Sequence, residues 1–506
     1  MKTYVGIDLG ACDIKAAKIS AQTNRVQPVK LNTNIAGGRV LPCALYYDKI
    51  NGEVEIKIGE SAEINVDAEN KITRLTPKLA SKSWSKYIPN VGRKIFAAAA
   101  LKDILAKIWK HIAAQSAKTE NCDVTIVVPA AFSNLQKKLI RHAAINADVP
   151  VSTILTASFA SLFACDDLLD NDTAQTVLIF DFGGTTLDVT IFEVERTEKS
   201  FNVTSLAAGS LAYGGVDIDE SIFRNIFMTK YKVAVDKFLT DDDGKNKFEL
   251  MNLLEKMKEE IFLDEEENSV GSLIDGGGNL YEFELTRTEI FTALDIDDVK
   301  SKITALLDEV LDDAGILPDE ITLVKIFGGT SAVDCFVDAL REYFGENVVD
   351  AYNFEREDLP LGASIGAVKF RKLTDEENLC VKVKNVVPCG IYMKRGEKFF
   401  RCIKRNELGG FATPYKPIMI YDLIESKWRL SIYQSFANEM ELPAESEELV
   451  FIGDVQLDSA LYTSTQAILY KMLVKDGKVT MKFFEDVDEQ IIFVEEKVLS
   501  LGDKIV

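Results

Sequence analysis

The clearest pattern of apolar and polar residues lies at positions 176–194 of the chain. An apolar run at 177–180 ends in Asp181, a Gly- and Thr-rich stretch follows at 182–186, and alternating apolar residues then resume. This order predicts a hairpin made of a buried strand, a tight turn and a returning strand. Glycines let backbone N–H groups approach an anion, and nearby carboxylates can hold a hydrated divalent cation, so the stretch is a candidate phosphate loop. A plain tight hairpin with solvated acids is the alternative that this pattern leaves open.

A shorter version of the same pattern begins the chain. The segment VGIDLGACDIKA at 5–16 aligns with LIFDFGGTTLDV at 178–189, and this alignment places Asp8 on Asp181. An internal repeat of this kind predicts two similar lobes, each with a phosphate loop. Two such loops that face each other would clamp a polyphosphate and its cation.

Between the two hairpins, predicted strands and helices alternate. Apolar residues at helical spacing predict an amphipathic helix over 94–115, and a strand over 123–128 ends at a proline. Further helices are predicted over 133–147, from a serine cap, and over 152–170. This alternation is typical of an α/β lobe.

After the second hairpin, two more Gly-Gly turns follow strands and open helices. The first turn contains Gly214 and Gly215, and the second contains Gly328 and Gly329. Such helix N-termini can seat an anion or a ribose, although a plain capping turn is an equally good interpretation. The other predicted elements of this region are strands over 201–207 and 321–327, a hairpin over 269–285, and helices over 217–230, 248–263, 303–314, 332–344 and, rich in small residues, 361–370.

From residue 380 onward the pattern changes to short alternating runs separated by turn residues. The runs lie at 399–403, 417–421, 429–433, 450–457, 468–474, 479–484 and 491–494. About seven strands at this spacing, without a long helical pattern, predict an all-β module.

Composition argues against several classes of function. The 506 residues carry 58 Lys and Arg against 80 Asp and Glu, and the net charge of −22 opposes nonspecific binding to nucleic acid or to an anionic membrane. Residues 380–506 contain only 17 of these basic and 19 of these acidic residues, so nearly all of the excess charge precedes them. Two histidines and eight scattered cysteines without a C-x-x-C pair argue against a His-based triad, a zinc site and a disulfide framework. No apolar run reaches the roughly 18 residues that span a bilayer, and the chain starts with a strand rather than a signal peptide, so we expect a cytoplasmic protein.

Five stretches together resemble the seventy-kilodalton heat-shock chaperone family, the DnaK-type proteins. They are VGIDLGACD at 5–13, VVPAAFSNLQKK at 127–138, VLIFDFGGTTLDVTI at 177–191, AYGGVDID at 212–219 and KIFGGTSAV at 325–333. The resemblance implies an actin-like (ribonuclease H-like) α/β nucleotide-binding domain over 1–372, a linker over 373–383 and a β-sandwich peptide-binding-like domain over 384–506. FFRCIKRN at 399–406 is the best match in this last region. No stretch like the family's helical lid follows the last predicted strand, so a divergent member without the lid is expected.

The resemblance also implies ATP or ADP with magnesium as cofactors, and it assigns the site residues. Asp8 and Asp181 would hold the magnesium ion through its water shell, and these two carboxylates would form the catalytic group with Thr186 and Asp188. The residues expected at the nucleotide are Gly10, Ala11, Cys12, Gly183, Gly184, Thr185, Thr186, Gly214, Gly215, Glu255, Lys258, Gly328 and Gly329. The chemistry needs positioning and charge neutralisation rather than a covalent nucleophile.

Unfolded or extended polypeptides, together with co-chaperones, are the partners that the resemblance implies. Ile391 and Met393 fall where the family's peptide cleft would lie, although ordinary core packing is the stronger interpretation of both residues. Neither nucleic acid nor a membrane is expected as a partner.

Several departures from the family pattern bear on catalysis. The first loop has Ala11 and Cys12 where the family has two threonines, and Thr73 lies where the family has its catalytic lysine. Lys71 or Lys78 would replace that lysine only if the loop shifts. Loss of one such electrostatic group commonly lowers a rate about a hundredfold. Two functions therefore stay open: a chaperone-like protein with weak ATP hydrolysis coupled to peptide binding, and a nucleotide-binding scaffold with little or no turnover.

Overall fold

The structure, a computed structural model, describes most of the chain. The described residues are 2–19, 25–31, 38–65, 67–79, 84–115, 122–129, 132, 134–170, 173–239, 245–263, 265–350, 356–384, 390–404, 413, 416–417, 429–435, 439–443, 446, 449–458, 461, 468–475, 478–487 and 490–500. Among these residues, no helix is both long enough and apolar enough to cross a membrane.

Residues 2–162 form the first lobe, which contains a six-stranded mixed sheet. Its elements are β1 (Thr3–Leu9), β2 (Asp13–Ile19), β3 (Val26–Pro28), β4 (Val40–Pro42), β5 (Ala44–Ile50), β6 (Glu53–Ile58), α1 (Glu60–Glu63), β7 (Lys71–Thr73), α2 (Leu75–Lys78), β8 (Ser85–Ile88), β9 (Arg93–Phe96), α3 (Ala97–Ala114), β10 (Cys122–Val128), α4 (Asn134–Ile145), β11 (Val151–Thr156) and α5 (Ala157–Leu162). The sheet order is β11-β10-β1-β2-β3, and β4 also pairs with β2. β1 is buried from its second residue onward, as expected for a central strand that is covered on both faces.

Residues 166–384 form the second lobe, which is built around another six-stranded sheet. Its elements are α6 (Asp166–Leu169), β12 (Gln175–Phe182), β13 (Leu187–Arg196), β14 (Ser200–Leu211), α7 (Gly215–Ile222), a π-helical turn (Phe223–Phe227), α8 (Met228–Lys230), α9 (Lys232–Leu239), α10 (Lys245–Phe262), β15 (Asn268–Ile274), β16 (Leu280–Thr286), α11 (Arg287–Ala293), α12 (Ile296–Ala314), β17 (Leu323–Phe327), α13 (Asp334–Phe344), β18 (Val349–Asp350), α14 (Gly362–Asp375) and β19 (Cys380–Lys384). The sheet order is β18-β17-β12-β13-β14-β19.

The two sheets repeat one topology. We number the strands of each sheet order given above by their position along the chain, counting only those strands. The first sheet then reads 5-4-1-2-3, and the second reads 5-4-1-2-3-6. In each lobe the first two strands form an antiparallel hairpin, and the fourth strand lies parallel to the first. The predicted internal repeat of two similar lobes is therefore present in the structure.

Several predicted helices begin or end differently in the structure; the helix predicted over 303–314, for example, begins at residue 296. The predicted helix over 152–170 is wrong, because β11 occupies its first part and α5 and α6 occupy short pieces of the rest. Residues 151–156 (VSTILT) are rich in β-branched side chains, and they pair in parallel with β10. The helix predicted over 94–115 starts at residue 97, since β9 precedes it, and the helix predicted over 217–230 starts at 215 and is interrupted by the π-helical turn. The predicted serine cap at Ser133 lies outside the described residues.

Helix α14 packs closely against the first lobe. A Cβ atom built on Gly366 would lie 1.8 Å from the Ala160 carbonyl oxygen of α5, and one built on Gly6 would lie 2.3 Å from the Ser364 carbonyl oxygen. Only small residues permit so close a crossing. The small residues of 361–370 do predict a tightly packed helix, and this helix joins the cores of the two lobes.

The β-rich region from residue 390 onward is a sandwich of two sheets. Its strands are β20 (Gly390–Arg395), β21 (Lys398–Ile403), β22 (Lys416–Pro417), β23 (Arg429–Ser435), β24 (Glu441–Pro443), β25 (Val450–Gln456), β26 (Ile468–Lys475), β27 (Lys478–Val487) and β28 (Gln490–Ser500). The orders are β24-β21-β20-β23-β25 and β22-β26-β27-β28. Side chains of both sheets share one apolar core. Six of the seven predicted runs fall on strands to within one residue, whereas residues 418–421 of the run at 417–421 lie outside the described residues. β20 and β24 are additional strands.

Candidate nucleotide site

The turn of the second hairpin presents unpaired backbone N–H groups. Gly183 N–H donates to the Thr186 carbonyl across the turn at 2.9 Å. The N–H groups of Gly184 and Thr185 donate to no residue in the described part of the chain. Because these donors lie at the end of a buried strand, the turn has the chemistry of an anion-binding nest.

Two carboxylates lie opposite each other at the base of this turn. Asp181 and Asp188 are paired positions of the antiparallel strands β12 and β13. The Thr186 hydroxyl donates to Asp188 Oδ2 at 3.0 Å, which fixes the orientation of that carboxylate. The hairpin, its turn and its bracketing acids are thus arranged as the sequence predicts.

The Gly214–Gly215 turn is bonded directly to the second hairpin. Gly215 N–H donates to the Gly183 carbonyl at 3.2 Å, and Val216 N–H donates to the Gly184 carbonyl at 2.9 Å. A Cβ atom on Gly214 would lie 2.5 Å from the Gly184 carbonyl oxygen, so a side chain cannot be accommodated there. The N-terminus of α7 therefore starts beside the candidate phosphate loop.

The Gly328–Gly329 turn meets the same loop from the neighbouring strand β17. Gly328 has φ +86°, and a Cβ atom on it would lie 2.3 Å from the Phe182 carbonyl oxygen. Both the backbone conformation and the close approach require glycine. The Thr330 hydroxyl donates to the Gly183 carbonyl at 2.9 Å. Three Gly-rich turns that are far apart in sequence thus meet at one place.

The first hairpin faces this cluster from the other lobe. A Cβ atom built on Gly184 would lie 3.4 Å from Cys12 Sγ, so the turns of the two hairpins nearly touch. Burial raises the pKa of the Cys12 thiol to about 12, which keeps it protonated. Lys15, which the sequence analysis did not single out, folds back so that its Nζ would lie 3.6 Å from a Cβ atom on Gly10.

The carboxylates between the two hairpins are short of positive charge. Burial raises the pKa of Asp8, which is 8% exposed, although the nearby Lys15 ammonium lowers it. Burial, followed by the negative charges of Asp188 and Asp8, raises the pKa of Asp181 to about 7, again against Lys15. Burial also raises the pKa of Asp188 despite two side-chain hydrogen bonds. Such a group of acids favours the arrival of a cation.

A second group of charged side chains lies between α7 and α10, beside the Gly214–Gly215 turn. Lys258 Nζ forms an ion pair with Asp219 Oδ1 at 2.7 Å and donates to the Gly215 carbonyl at 3.2 Å. Burial outweighs this ion pair and raises the pKa of Asp219 to about 6. Burial also raises the pKa of Glu255, and the charge of Asp13 from the first hairpin adds to the effect. Asp219 was missed by the sequence analysis, although it lies one helical turn after the Gly-Gly pair on α7.

Neither lysine that flanks Thr73 points to the carboxylates. Lys71 Nζ donates to the carbonyls of Glu63 and Asn65 at 3.0 and 2.7 Å. Lys78 Nζ donates to the Thr73 carbonyl at 2.5 Å. Both ammonium groups therefore bind backbone oxygens of the first lobe.

Ile391 and Met393 lie far from solvent. Both belong to β20, are at most 1% exposed and form part of the sandwich core. Core packing accounts for both residues, and in this arrangement neither side chain can contact a bound peptide.

The residues present fit a nucleotide with a hydrated magnesium ion. Free N–H groups suit phosphate oxygens, and Asp8 and Asp181 supply buried carboxylates, which suit a hydrated divalent cation. Among the described residues, no group of three or more His, Cys, Asp or Glu side chains is arranged to bind a metal ion directly.

Comparison with known proteins agrees with this geometry. The family model described as Hsp70 protein matches residues 54–440, which is more than half of the chain. The chaperone protein DnaK of Thermoplasma volcanium is 26% identical over 432 residues, which cover 82% of this chain and 64% of that protein. The chain thus spans somewhat less than two thirds of the length of this curated relative. The matched range of the family model begins after the first hairpin.

Proposed function

Because the chain belongs to the Hsp70 protein family, we propose that it is an ATP-binding, chaperone-like protein with weak ATP hydrolysis. The actin-like two-lobed domain over 1–372 would bind ATP or ADP with magnesium, and the β-sandwich domain over 384–506 would bind unfolded or extended polypeptides. The convergence of three Gly-rich turns on Asp181 carries this proposal. Co-chaperones as further partners and a cytoplasmic location belong to the same proposal.

The site residues would divide the work between binding and positioning. The N–H groups of Gly184 and Thr185 would bind phosphate oxygens, while Asp8 and Asp181 would orient the water shell of magnesium. When bound, magnesium neutralises phosphate charge during phosphoryl transfer. Asp188, fixed by the Thr186 hydroxyl, would orient the attacking water.

Other residues would hold the remainder of the nucleotide. The turns at Gly214–Gly215 and Gly328–Gly329, together with Glu255 and Lys258, would surround the adenosine. The first turn, with Gly10, Ala11 and Cys12, would approach the phosphates from the opposite side with fewer hydroxyl donors than its counterpart.

A nucleotide-binding scaffold with little or no turnover is the second candidate. Thr73 supplies no cation, and the carbonyl contacts of Lys71 and Lys78 hold both ammonium groups away from the carboxylates. If no other group supplies this charge, the transition state is stabilised poorly.

One paired measurement separates the two candidates. ATP binding would be measured by calorimetry, and ATP turnover would be measured on the same sample with and without an unfolded peptide. We expect ATP binding and peptide-stimulated turnover that falls about a hundredfold in Asp188→Asn. The exposed Asp319→Asn serves as the control and should behave as wild type.

Two other results would lead to different conclusions. Absence of ATP binding would overturn both candidates. Binding with wild-type turnover no faster than that of Asp188→Asn would leave the scaffold.

A further inference from the structure

The two hairpins place residues of opposite charge at equivalent positions. In the second hairpin, Asp181 pairs with Asp188 across the strands, and in the first hairpin Asp8 pairs with Lys15. Each pair is seven residues apart, with the turn between its members. Lys15 is therefore the structural counterpart of the carboxylate that would orient the attacking water.

The Lys15 ammonium points into the space between the hairpins. It folds over the first turn, next to Gly10, and no hydrogen bond or ion pair joins it to any residue that the structure describes. Its charge nevertheless acts on Asp8 and Asp13 of the first lobe and on Asp181 of the second lobe. An unpaired cation near three carboxylates, beside free N–H groups, has the surroundings of a phosphate-binding group.

The other lysines near the site are already bound to protein groups. Lys71 and Lys78 donate to backbone carbonyls, and Lys71 also lies 5.0 Å from the Phe248 ring of α10. Lys258 is held by Asp219. The cation whose charge acts on both Asp8 and Asp181 is Lys15.

We propose that Lys15 binds the terminal phosphates of the nucleotide and supplies there the positive charge that Thr73 lacks. This inference rests on the proposed nucleotide binding and deepens it. The site would then recognise nucleoside di- and triphosphates through a lysine of the first hairpin rather than one on the loop after β7. Nucleosides without phosphates would gain nothing from Lys15.

The test compares nucleotides of different phosphate length in Lys15→Met. By calorimetry in the presence of magnesium, ATP and ADP should bind about ten- to a hundredfold more weakly, since one charge-assisted contact is lost. Adenosine should bind within about twofold of wild type. Lys15→Arg should retain most of the affinity for ATP, because it keeps the charge.

Two lysine variants serve as matched controls. Lys18→Met changes a lysine on the same strand whose ammonium bonds to Gln115, and Lys71→Met removes the alternative cation. Both should bind ATP as wild type does. If Lys71→Met, rather than Lys15→Met, weakens ATP binding selectively, the inference is overturned.

A measurement on the unmodified protein covers the case in which Lys15→Met does not fold. Acylation of lysines by an amine-reactive reagent, mapped by mass spectrometry, should be suppressed at Lys15 by ATP or ADP but not by adenosine. Equal labelling of Lys15 with and without ATP, in a protein that binds ATP, would overturn this inference alone. A wild-type protein that binds no ATP would instead overturn the proposed function.

Discussion

In the first hairpin the residue that pairs with Asp8 is Lys15, whereas in the second hairpin the residue that pairs with Asp181 is Asp188. The backbone of both hairpins follows one plan, with a central strand, a tight turn and an antiparallel return. The chemistry of the returning strand is inverted. The repeated topology therefore determines where a side chain lies, but not which charge it carries.

The two turns differ in the same way. The second turn keeps Thr185 and Thr186, and the Thr186 hydroxyl orients Asp188. The first turn has Ala11 and Cys12, and Cys12 contributes a protonated thiol that packs against Gly184. Hydroxyl chemistry is thus concentrated in the second hairpin. Each hairpin carries two aspartates, but only the first has a lysine at the position that pairs with its central aspartate.

Breaking the second hairpin should have the largest effect. In Gly328→Ala, the new Cβ atom would lie 2.3 Å from the Phe182 carbonyl in a backbone with φ +86°, so β12 or its turn must shift. We expect nucleotide affinity to fall about a hundredfold or more, with a loss of about 2–3 kcal/mol in the free energy of unfolding. Calorimetry and urea unfolding measure the two quantities.

Gly345→Ala is the matched control for this variant. Gly345 has φ +94°, but no atom lies within 4 Å of its Cβ position. Gly345→Ala should lower the free energy of unfolding through backbone strain, but it should bind nucleotide as tightly as wild type does. Similar nucleotide affinities in the two variants would show that the close approach at Gly328 is unimportant.

The acids of the second hairpin should produce a pH dependence of stability. The pKa of Asp181 is raised to about 7 by burial, Asp188 and Asp8, so between about pH 4 and pH 7 the folded state keeps a proton that the unfolded state has lost. The free energy of unfolding therefore falls as pH rises through this window. Asp181→Asn should remove this contribution, so between about pH 4.5 and pH 7.5 its free energy of unfolding should rise by about 3 kcal/mol relative to that of wild type.

Urea unfolding of both proteins at several pH values, without nucleotide, measures this difference. Acids that do not interact with Asp181 affect wild type and variant alike, so the difference between the two curves reports Asp181 together with Asp8 and Asp188, whose charges are coupled to it. Parallel curves would mean that Asp181 ionises normally.

Restoring hydroxyl groups in the first turn should make the two hairpins more alike. The double variant Ala11→Thr/Cys12→Thr adds two donors that face the proposed phosphates. We expect ATP to bind about three- to tenfold more tightly, because each hydrogen bond contributes modestly. Cys380→Thr, at an exposed cysteine of β19, is the control and should leave binding unchanged. Weaker binding by the double variant would indicate that Cys12 packs where a branched side chain does not fit.

The smallest effect is expected where the lobes are joined by an exposed ion pair. Arg39 of the first lobe contacts Asp358 of the second at 2.5 Å, with side chains 36% and 29% exposed. Such pairs contribute about 1 kcal/mol or less, so Arg39→Met should weaken ATP binding only about twofold. Arg429→Met, which removes an exposed pair within the sandwich, should change nothing in this assay. A tenfold loss in Arg39→Met would show that this pair controls how the two hairpins face each other.

Much of this architecture follows from local patterns in the sequence. Apolar runs that end in Asp-x-Gly predict both central hairpins, because a buried strand followed by a tight turn leaves few other structures. Residues 151–156 could not be predicted as a strand, because their short run of apolar and polar residues fits a helix as well. Pairing with β10, which is distant information, makes them a strand.

The site could be predicted only in part. The glycines and carboxylates could be recognised as site residues because such residues are unusual at the end of a buried strand. Lys15, in contrast, resembles an ordinary polar residue of a strand with alternating apolar and polar positions. Counting outward from the turn would have found it, since residues equally distant from a tight turn face each other. The carbonyl contacts of Lys71 and Lys78 depend on the path of the loop, which no local pattern specifies.

The pairing of strand β19 limits how far the β-sandwich can lie from the second lobe. β19 pairs in parallel with β14, from Ser200 with Cys380 to Thr204 with Lys384, and β20 begins only six residues after Lys384. A tether of this length reaches at most about 20 Å. Whenever β19 is paired, the sandwich is therefore present at the surface of the second lobe at a high effective concentration, on the order of millimolar. Contacts between the sandwich and the second lobe would then form readily within one chain, even if they were too weak to measure between separate molecules.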